Sequence, residues 1–113
     1  MPLREQMKTD LSAAMKAREL EAVAALRSVL AAIDNAEAVP ADQSTGLVKP
    51  VLGQRNEVPR KALSVDDIRQ IVQHEADERR AASAKYADLG LDAEAERLAR
   101  AAELIASYLG KQR

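Results

Sequence analysis

The sequence predicts an all-α fold, an antiparallel four-helix bundle-like domain with one long loop between two helical hairpins. Apolar residues recur at helical spacing on either side of the centre of the chain. Alanine, the strongest helix former, is the commonest residue, and proline and glycine gather in the central segment. Because 113 residues is the length of one domain, residues 1–113 are expected to form a single unit.

Residues 3–37 are predicted to form the first hairpin, because they carry two apolar stripes at helical spacing. The charged stretch 18–21 between them is compatible with a turn or with the surface of one long helix. We favour a turn, since so long a helix is rare in a small domain. Leu30 is placed in the core, where truncation to alanine costs about 2–5 kcal/mol. The stripes are Leu3, Met7, Leu11 and Met15, then Val23, Leu26, Leu30 and Ile33.

Residues 38–63 have no apolar period and are predicted to be a loop. Proline inside a helix removes a hydrogen bond and clashes with the preceding turn, and three prolines fall in this stretch. Loops of this length are usually functional or disordered. The loop is also basic, since it carries Lys49, Arg55, Arg60 and Lys61 against Asp42 and Glu57.

Residues 64–110 are predicted to form the second hairpin. Ser64 is a good N-cap, and Asp67 complements the positive end of the helix. Gly90 is expected to end the third helix, because glycine tolerates the left-handed conformation, and Gly110 to end the fourth. The third helix has the stripe Ile68, Ile71, Val72, Ala76, Ala82 and Tyr86, and the fourth, over 91–109, has Ala95, Leu98, Ala102, Ile105, Tyr108 and Leu109.

The composition narrows the function classes. The absence of cysteine excludes disulfides and thiolate metal sites. Charges interrupt the first apolar stretch, so no signal peptide is expected, and no apolar run is long enough to span a bilayer. A net charge of −1 does not supply a broad basic field for phosphate backbones. The sequence therefore predicts a cytoplasmic protein with no membrane partner.

The sequence shows no catalytic motif. His74 is the single histidine, and the zinc-protease helix motif would need a second histidine where Glu78 stands. A weak metal site of His74 with carboxylates is the minor alternative to a surface histidine with an intrahelical partner. No serine has a base at motif spacing, and no glycine-rich phosphate loop is present. We expect no catalytic residue, no metal and no cofactor.

Glu75 and Arg79 lie four residues apart and share one helix face. One interpretation is an exposed pair worth roughly 0.3–0.5 kcal/mol. In another, Glu75 lies beside the apolar stripe and is partly buried. It then needs Arg79 or Arg27 as a partner, because desolvating a lone charge is costly. A contact with a ligand is the third interpretation.

A nucleic-acid interface is the other site hypothesis. Net charge and the shortage of stacking aromatics argue against it, although a basic patch can bind RNA by shape. Arg97 and Arg100 would form a stripe with Arg113 beyond them. The candidate contacts are Lys49, Arg55, Arg60, Lys61, Arg79 and Arg80.

Several segments, taken in order, resemble the YqeY-like family, small stand-alone relatives of the C-terminal domain in the B subunit of tRNA-dependent amidotransferases. The resemblance spans most of the chain outside the central loop. Its motifs are "L..DL..AMKAR", "LR…xxAI.NAE", "I..V..E…RR…S..Y..G…A" and "E…YL". They match Leu3, Asp10, Leu11 and Ala13 to Arg18; Leu26, Arg27, Ala31, Ala32, Ile33, Asn35, Ala36 and Glu37; Ile71, Val72, Glu75, Arg79, Arg80, Ser83, Tyr86, Gly90 and Ala95; and Glu103, Tyr108 and Leu109.

The resemblance implies a cytoplasmic, bacterial-type helical bundle associated with tRNA or with the aminoacylation machinery, since the related tail domain helps to hold tRNA. The family label of carbon–nitrogen ligase with glutamine as amido donor belongs to the larger enzyme, whose catalytic sites have no match here. One alternative is a protein-interaction or structural module, with a protein partner or as a homo-oligomer. The other is a carbon–nitrogen ligase with glutamine as amido donor in its own right, which the family label alone suggests. The polar residues of the motifs are Arg27, Glu37, Glu75, Arg79 and Glu103.

The sequence departs from the family at three places. Family members continue after "YLP" into a smaller helical domain, whereas Gly110 replaces that proline and the sequence stops at Arg113. We therefore expect the smaller domain to be absent. Leu91 stands where the family often has arginine, and the loop 38–63 is longer than expected.

Overall fold

The computed structural model describes residues 2–38 and 62–110, which form four α-helices and no strand. The helices are α1 (Leu3–Ala17), α2 (Leu20–Ala38), α3 (Val65–Asp88) and α4 (Asp92–Gly110). The predicted all-α fold with four helices is confirmed. The predicted loop contacts Lys49, Arg55, Arg60 and Lys61 lie outside the described residues, as does Arg113.

The turn predicted at 18–21 is confirmed and occupies two residues between α1 and α2. Arg18 takes the left-handed conformation, with φ 59° and ψ 37°. The backbone N–H of Arg18 donates to the Met15 carbonyl at 3.2 Å, and that of Glu19 to the Ala14 carbonyl at 3.0 Å. These bonds satisfy carbonyls that the end of α1 leaves open. For a residue with a Cβ atom, this conformation costs roughly 1–2 kcal/mol.

The predicted start of α3 is confirmed as a capping box. Ser64 Oγ accepts from the Asp67 backbone N–H at 3.0 Å, and the Ser64 N–H donates to Asp67 Oδ2 at 3.0 Å. At the other end α3 stops at Asp88, and Gly90 takes a positive φ of 79° as predicted. The Leu91 N–H then donates to the Tyr86 carbonyl at 2.9 Å, which closes the turn into α4.

Each hairpin is antiparallel, and α2 packs against the second hairpin. In the first, Arg4 near the start of α1 reaches Glu37 near the end of α2. In the second, Ser83 Oγ donates to the Ala95 carbonyl at 2.7 Å, and α3 and α4 share the most extensive contact in the fold. The core lies between α2 and the other helices. Its largest fully buried side chains are Tyr108, Met7, Leu26, Ile33, Ile105, Val29 and Val72.

Two residues of the predicted stripes are exposed, and seven others are only half-buried: Leu11, Leu30, Ile68, Ile71, Ala82, Leu98 and Leu109. Met15, in the last turn of α1, is 49% exposed, and Tyr86, in the last turn of α3, is 38% exposed. Leu30 packs against the core but is only half-buried, whereas its neighbour Val29 is fully buried. The full cost of truncating a core leucine therefore does not apply at Leu30.

Among residues 2–38 and 62–110, no helix combines the length and apolarity needed to cross a membrane.

Candidate functional site

Arg79, a predicted nucleic-acid contact, donates its hydrogen bonds to groups inside the protein. Its Nη1 donates to Glu75 Oε1 at 2.9 Å and to the Glu75 carbonyl at 3.0 Å, and its Nη2 donates to Ser28 Oγ at 2.7 Å. The side chains of Arg79 and Glu75 are 19% and 15% exposed. The partly buried interpretation of Glu75 is therefore right, with Arg79 and not Arg27 as the partner, and the exposed-pair interpretation is wrong. The group ties α3 to α2.

The other predicted cations on the second hairpin face solvent and have acidic partners. Arg80 Nη1 lies 3.4 Å from Asp77 Oδ1, and Arg97 pairs with Glu94 one helical turn away. Arg100 reaches across to α2, where its Nε and Nη2 donate to the Glu21 carboxylate at 3.0 and 2.9 Å. The hydrogen bond from Arg100 holds the pKa of Glu21 below its usual range. These exposed pairs interrupt the predicted basic stripe with carboxylates.

His74 lies on the outer surface of α3. Its Nε2 is 3.3 Å from Glu78 Oε2, and both side chains are more than half exposed. This arrangement corresponds to the surface histidine with an intrahelical partner. Within the described ranges, no group of three or more His, Cys, Asp or Glu side chains is arranged to hold a metal ion.

The remaining polar residues of the family motifs lie apart from one another. Glu37 pairs with Arg4 at 2.7 Å, and this hydrogen bond raises the pKa of Arg4. Glu103 is exposed on α4 and lines a shallow groove with Glu96 and Arg100. Arg27 is exposed on α2. The structure therefore joins only Glu75 and Arg79, and it does so at the α2–α3 contact.

A basic cluster that the sequence reasoning missed surrounds the α1–α2 turn. We call Lys16, Arg18 and Arg27 the turn cations. All three are exposed, and none has a carboxylate oxygen within 4.0 Å among the residues that the structure describes. Arg27 Nη2 lies 4.0 Å from the sulfur of Met15, which places Arg27 beside the last turn of α1. Two of these residues belong to the "AMKAR" segment, the one sequence signal that points to them.

The turn cations lie next to an apolar surface, and Glu19 is the one carboxylate within the turn itself. Met15, half-exposed, lies beside Lys16 in the chain and against Arg27 in space. Such a surface can attract phosphate groups or carboxylates, and the planar guanidinium groups of Arg18 and Arg27 suit paired hydrogen bonds to either. No family model, no curated protein and no solved structure matches this chain.

Proposed function

We propose that this chain is a non-catalytic helical module that binds tRNA through its phosphate backbone. The proposal assigns the chain to the YqeY-like proteins that its sequence motifs resemble. The observation that carries it is the cluster of turn cations, because phosphate contacts need exposed cations whose charge is not already neutralised.

The carboxylates of the first hairpin leave this cluster open to an anion. Every acidic side chain of α1 and α2 has a hydrogen-bond or ion-pair partner in the structure, and Glu19 in the turn between them has none among the residues that the structure describes. The partners offset the charge of those carboxylates, so they compete less with an anion for the turn cations. Glu19 itself is exposed and lines a groove together with Leu20 of α2 and Arg100 of α4. The partners are Lys8 for Glu5, Gln6 and Tyr108 for Asp10, Arg100 for Glu21, and Arg4 for Asp34 and Glu37.

The charge of the second hairpin also favours RNA binding at the α1–α2 turn. Residues 62–110 carry six basic and ten acidic side chains, so this half of the fold repels a polyanion. An RNA backbone is therefore expected to meet the end of the first hairpin at the α1–α2 turn. Lys49, Arg55, Arg60 and Lys61 stay predicted contacts of the same RNA, on the charge of their segment.

Fluorescence anisotropy with labelled tRNA, at low and at physiological salt, tests the proposal. Binding is expected to weaken steeply with salt, because phosphate contacts release counterions. The double variant Lys16→Ala/Arg27→Ala is expected to bind roughly tenfold or more weakly at low salt. Its salt dependence is expected to be shallower, by about 0.7–0.9 log units for each phosphate that the variant no longer neutralises.

The matched control is Arg97→Ala/Arg100→Ala, which removes the same charge from residues that have acidic partners. It is expected to bind tRNA within about twofold of the unaltered chain, since those cations are already neutralised. Equal losses in the two double variants would show that net charge alone matters. No binding at either salt would overturn the proposal and favour a protein partner.

A further inference from the structure

Met15 gives the α1–α2 turn a property that a purely electrostatic phosphate site lacks. It is a large apolar side chain, 49% exposed, and it comes directly before Lys16 in the chain. The guanidinium of Arg27 lies against it, with Nη2 4.0 Å from the Met15 sulfur. This contact uses no carboxylate, so the charge of Arg27 is not neutralised by it. The turn therefore offers cations and a polarisable apolar group side by side.

The backbone of Arg18 also indicates a contact with a ligand. Among residues 2–38 and 62–110, Arg18 is the one non-glycine residue with a positive φ, at 59°. Glycine adopts this conformation without strain and is the usual residue at such a helix end. Residues held in strained conformations cluster at binding and active sites. Because the side chain of Arg18 is exposed, packing inside the fold does not explain why an arginine stands there.

Given the tRNA binding proposed for this chain, on which this inference rests, we propose that the α1–α2 turn takes an unpaired nucleotide of the RNA and not a duplex. Lys16 and Arg18 contact the phosphates beside the nucleotide, and its base packs on Met15 and on the guanidinium of Arg27. Unpaired bases expose their faces and stack on aromatic rings or on guanidinium planes. The thioether of methionine adapts to varied shapes, so it suits a base of any identity.

The charges around the turn favour a single strand over a duplex. A duplex carries about one phosphate per 1.7 Å of helix axis, whereas one strand carries about one per 3.4 Å. The turn has three cations, and Glu19 directly follows Arg18 in the chain. The second hairpin is net acidic, so a second row of phosphates would meet carboxylates and not cations. A single strand meets fewer of them.

The shortage of aromatic side chains sets the size of the expected preference. The two tyrosines of the chain lie on the second hairpin, and Tyr108 is buried, so base packing at the turn falls to Met15 and Arg27. A base stacked on an aromatic ring contributes roughly five- to a hundredfold to affinity. With a thioether and a guanidinium in its place, we expect the low end of that range, about fivefold.

Fluorescence anisotropy at low salt compares two labelled probes, a short RNA strand that does not pair with itself and the same strand annealed to its complement. The unaltered chain is expected to bind the single strand about fivefold more tightly. Equal affinities, or tighter binding of the duplex, would overturn this inference and leave the binding of tRNA through phosphates intact. If tRNA and both probes fail to bind, the proposed function fails and the unpaired-nucleotide site fails with it.

Variants at Met15 locate the base. Met15→Ser is expected to weaken single-strand binding about fivefold and to leave duplex binding unchanged, so that the preference disappears. Met15→Leu keeps an apolar side chain of similar size and is expected to retain most of the preference. Leu89→Ser is the matched control, since Leu89 is 71% exposed at the end of α3, and it is expected to change neither affinity. Equal losses in the two serine variants, with folding established by circular dichroism, would remove the base from the turn.

Arg18→Gly separates a role in binding from a role in folding. Glycine suits the left-handed backbone, so the melting temperature is not expected to fall, whereas binding of the single strand is expected to weaken about fivefold with the loss of one phosphate contact. Arg18→Lys keeps the charge without the planar fork and is expected to recover part of that loss. Unchanged RNA binding in a folded Arg18→Gly chain would overturn the phosphate contact assigned to Arg18.

Discussion

Tyr108→Phe tests the polar bond that joins the two hairpins through the core. The Tyr108 hydroxyl donates to Asp10 Oδ2 on α1 at 2.5 Å, and Gln6 donates to the other oxygen of that carboxylate at 3.0 Å. Tyr108 is 2% exposed, so its ring is part of the core. Phenylalanine keeps the ring in place and removes only the hydroxyl. The change therefore isolates the hydrogen bond from the packing around it.

The expected cost follows from the charge and exposure of the acceptor. A hydrogen bond to a charged group contributes about 1.5–3 kcal/mol. Asp10 is half-buried and keeps its bond from Gln6, so solvent and that amide compensate it in part. We expect the free energy of unfolding to fall by about 1.5–2 kcal/mol at neutral pH, which lowers the melting temperature by roughly 5–15 °C.

The same bond makes stability depend on alkaline pH. Burial raises the pKa of Tyr108, and the hydrogen bond to Asp10 raises it further, because both favour the neutral phenol. Since the pKa is higher in the folded than in the unfolded state, the stabilisation is fully present below the unfolded value of about 10 and is lost as pH rises above it. The stability of Tyr108→Phe is expected to approach that of the unaltered chain above about pH 10.

Urea denaturation followed by far-ultraviolet circular dichroism measures both effects. Asp10→Ala and the double variant complete a cycle, and the expected coupling energy between the two side chains is about 1–2 kcal/mol. Additivity within about 0.5 kcal/mol would refute a bond between them. A difference between Tyr108→Phe and the unaltered chain that widens above about pH 10 would refute the pKa direction.

Two further predictions concern packing and the backbone. Leu26→Ala is expected to lower the free energy of unfolding by about 3–5 kcal/mol, because Leu26 is 1% exposed, and Leu30→Ala by less than about 2 kcal/mol, because Leu30 is half-buried. Similar costs in urea denaturation would show that the packing described for α2 is wrong. Arg18→Gly is expected to raise the melting temperature, with a gain of about 0.5–1 kcal/mol, since the relief of left-handed strain exceeds the extra entropy that glycine loses on folding. Arg27→Gly, inside α2, should instead cost about 1 kcal/mol; a lower melting temperature for Arg18→Gly would contradict the argument from strain.

Helix boundaries were predictable because their signals are local. Ser64 and Asp67, three residues apart, cap the start of α3. Gly90 follows the end of α3 with the positive φ that was expected of a glycine there. The two-residue turn at Arg18 has no glycine or proline, and the change of apolar stripe and the charged stretch 18–21 marked it in the sequence. These features depend on neighbouring residues alone, so one sequence is enough to find them.

Burial of single stripe residues was harder to predict because it depends on the lengths of the other helices. Tyr86 has the correct spacing for the core, but it lies in the last turn of α3 and is 38% exposed. Val29 rather than Leu30 takes the central position, because α2 is contacted by helices on more than one side and its buried face turns accordingly. Periodicity gives the direction of a side chain and not the presence of a neighbour there.

The candidate site needed tertiary structure for the same reason. The spacing of Glu75 and Arg79 predicted their contact, but the acceptor Ser28 is 51 residues away in the chain. Whether an arginine is free for a ligand depends on such partners. Arg79 was a candidate in the sequence and is bonded internally in the fold, whereas Lys16 and Arg18 looked ordinary in the sequence and have no described acidic partner.

The contacts within the second hairpin are local in sequence, whereas the bonds between the two hairpins are not, and this difference has a consequence for the order of folding. The contacts of α3 with α4 join residues close in the chain, as Ser83 and Ala95 are, so this hairpin closes a short loop. The bonds between hairpins, Ser28 with Arg79, Glu21 with Arg100 and Asp10 with Tyr108, span 51, 79 and 98 residues. Local contacts form first on entropic grounds. We therefore expect the second hairpin, which has the more extensive internal contact, to form before the two hairpins dock. Variants at the three bonds are then expected to speed unfolding more than they slow folding.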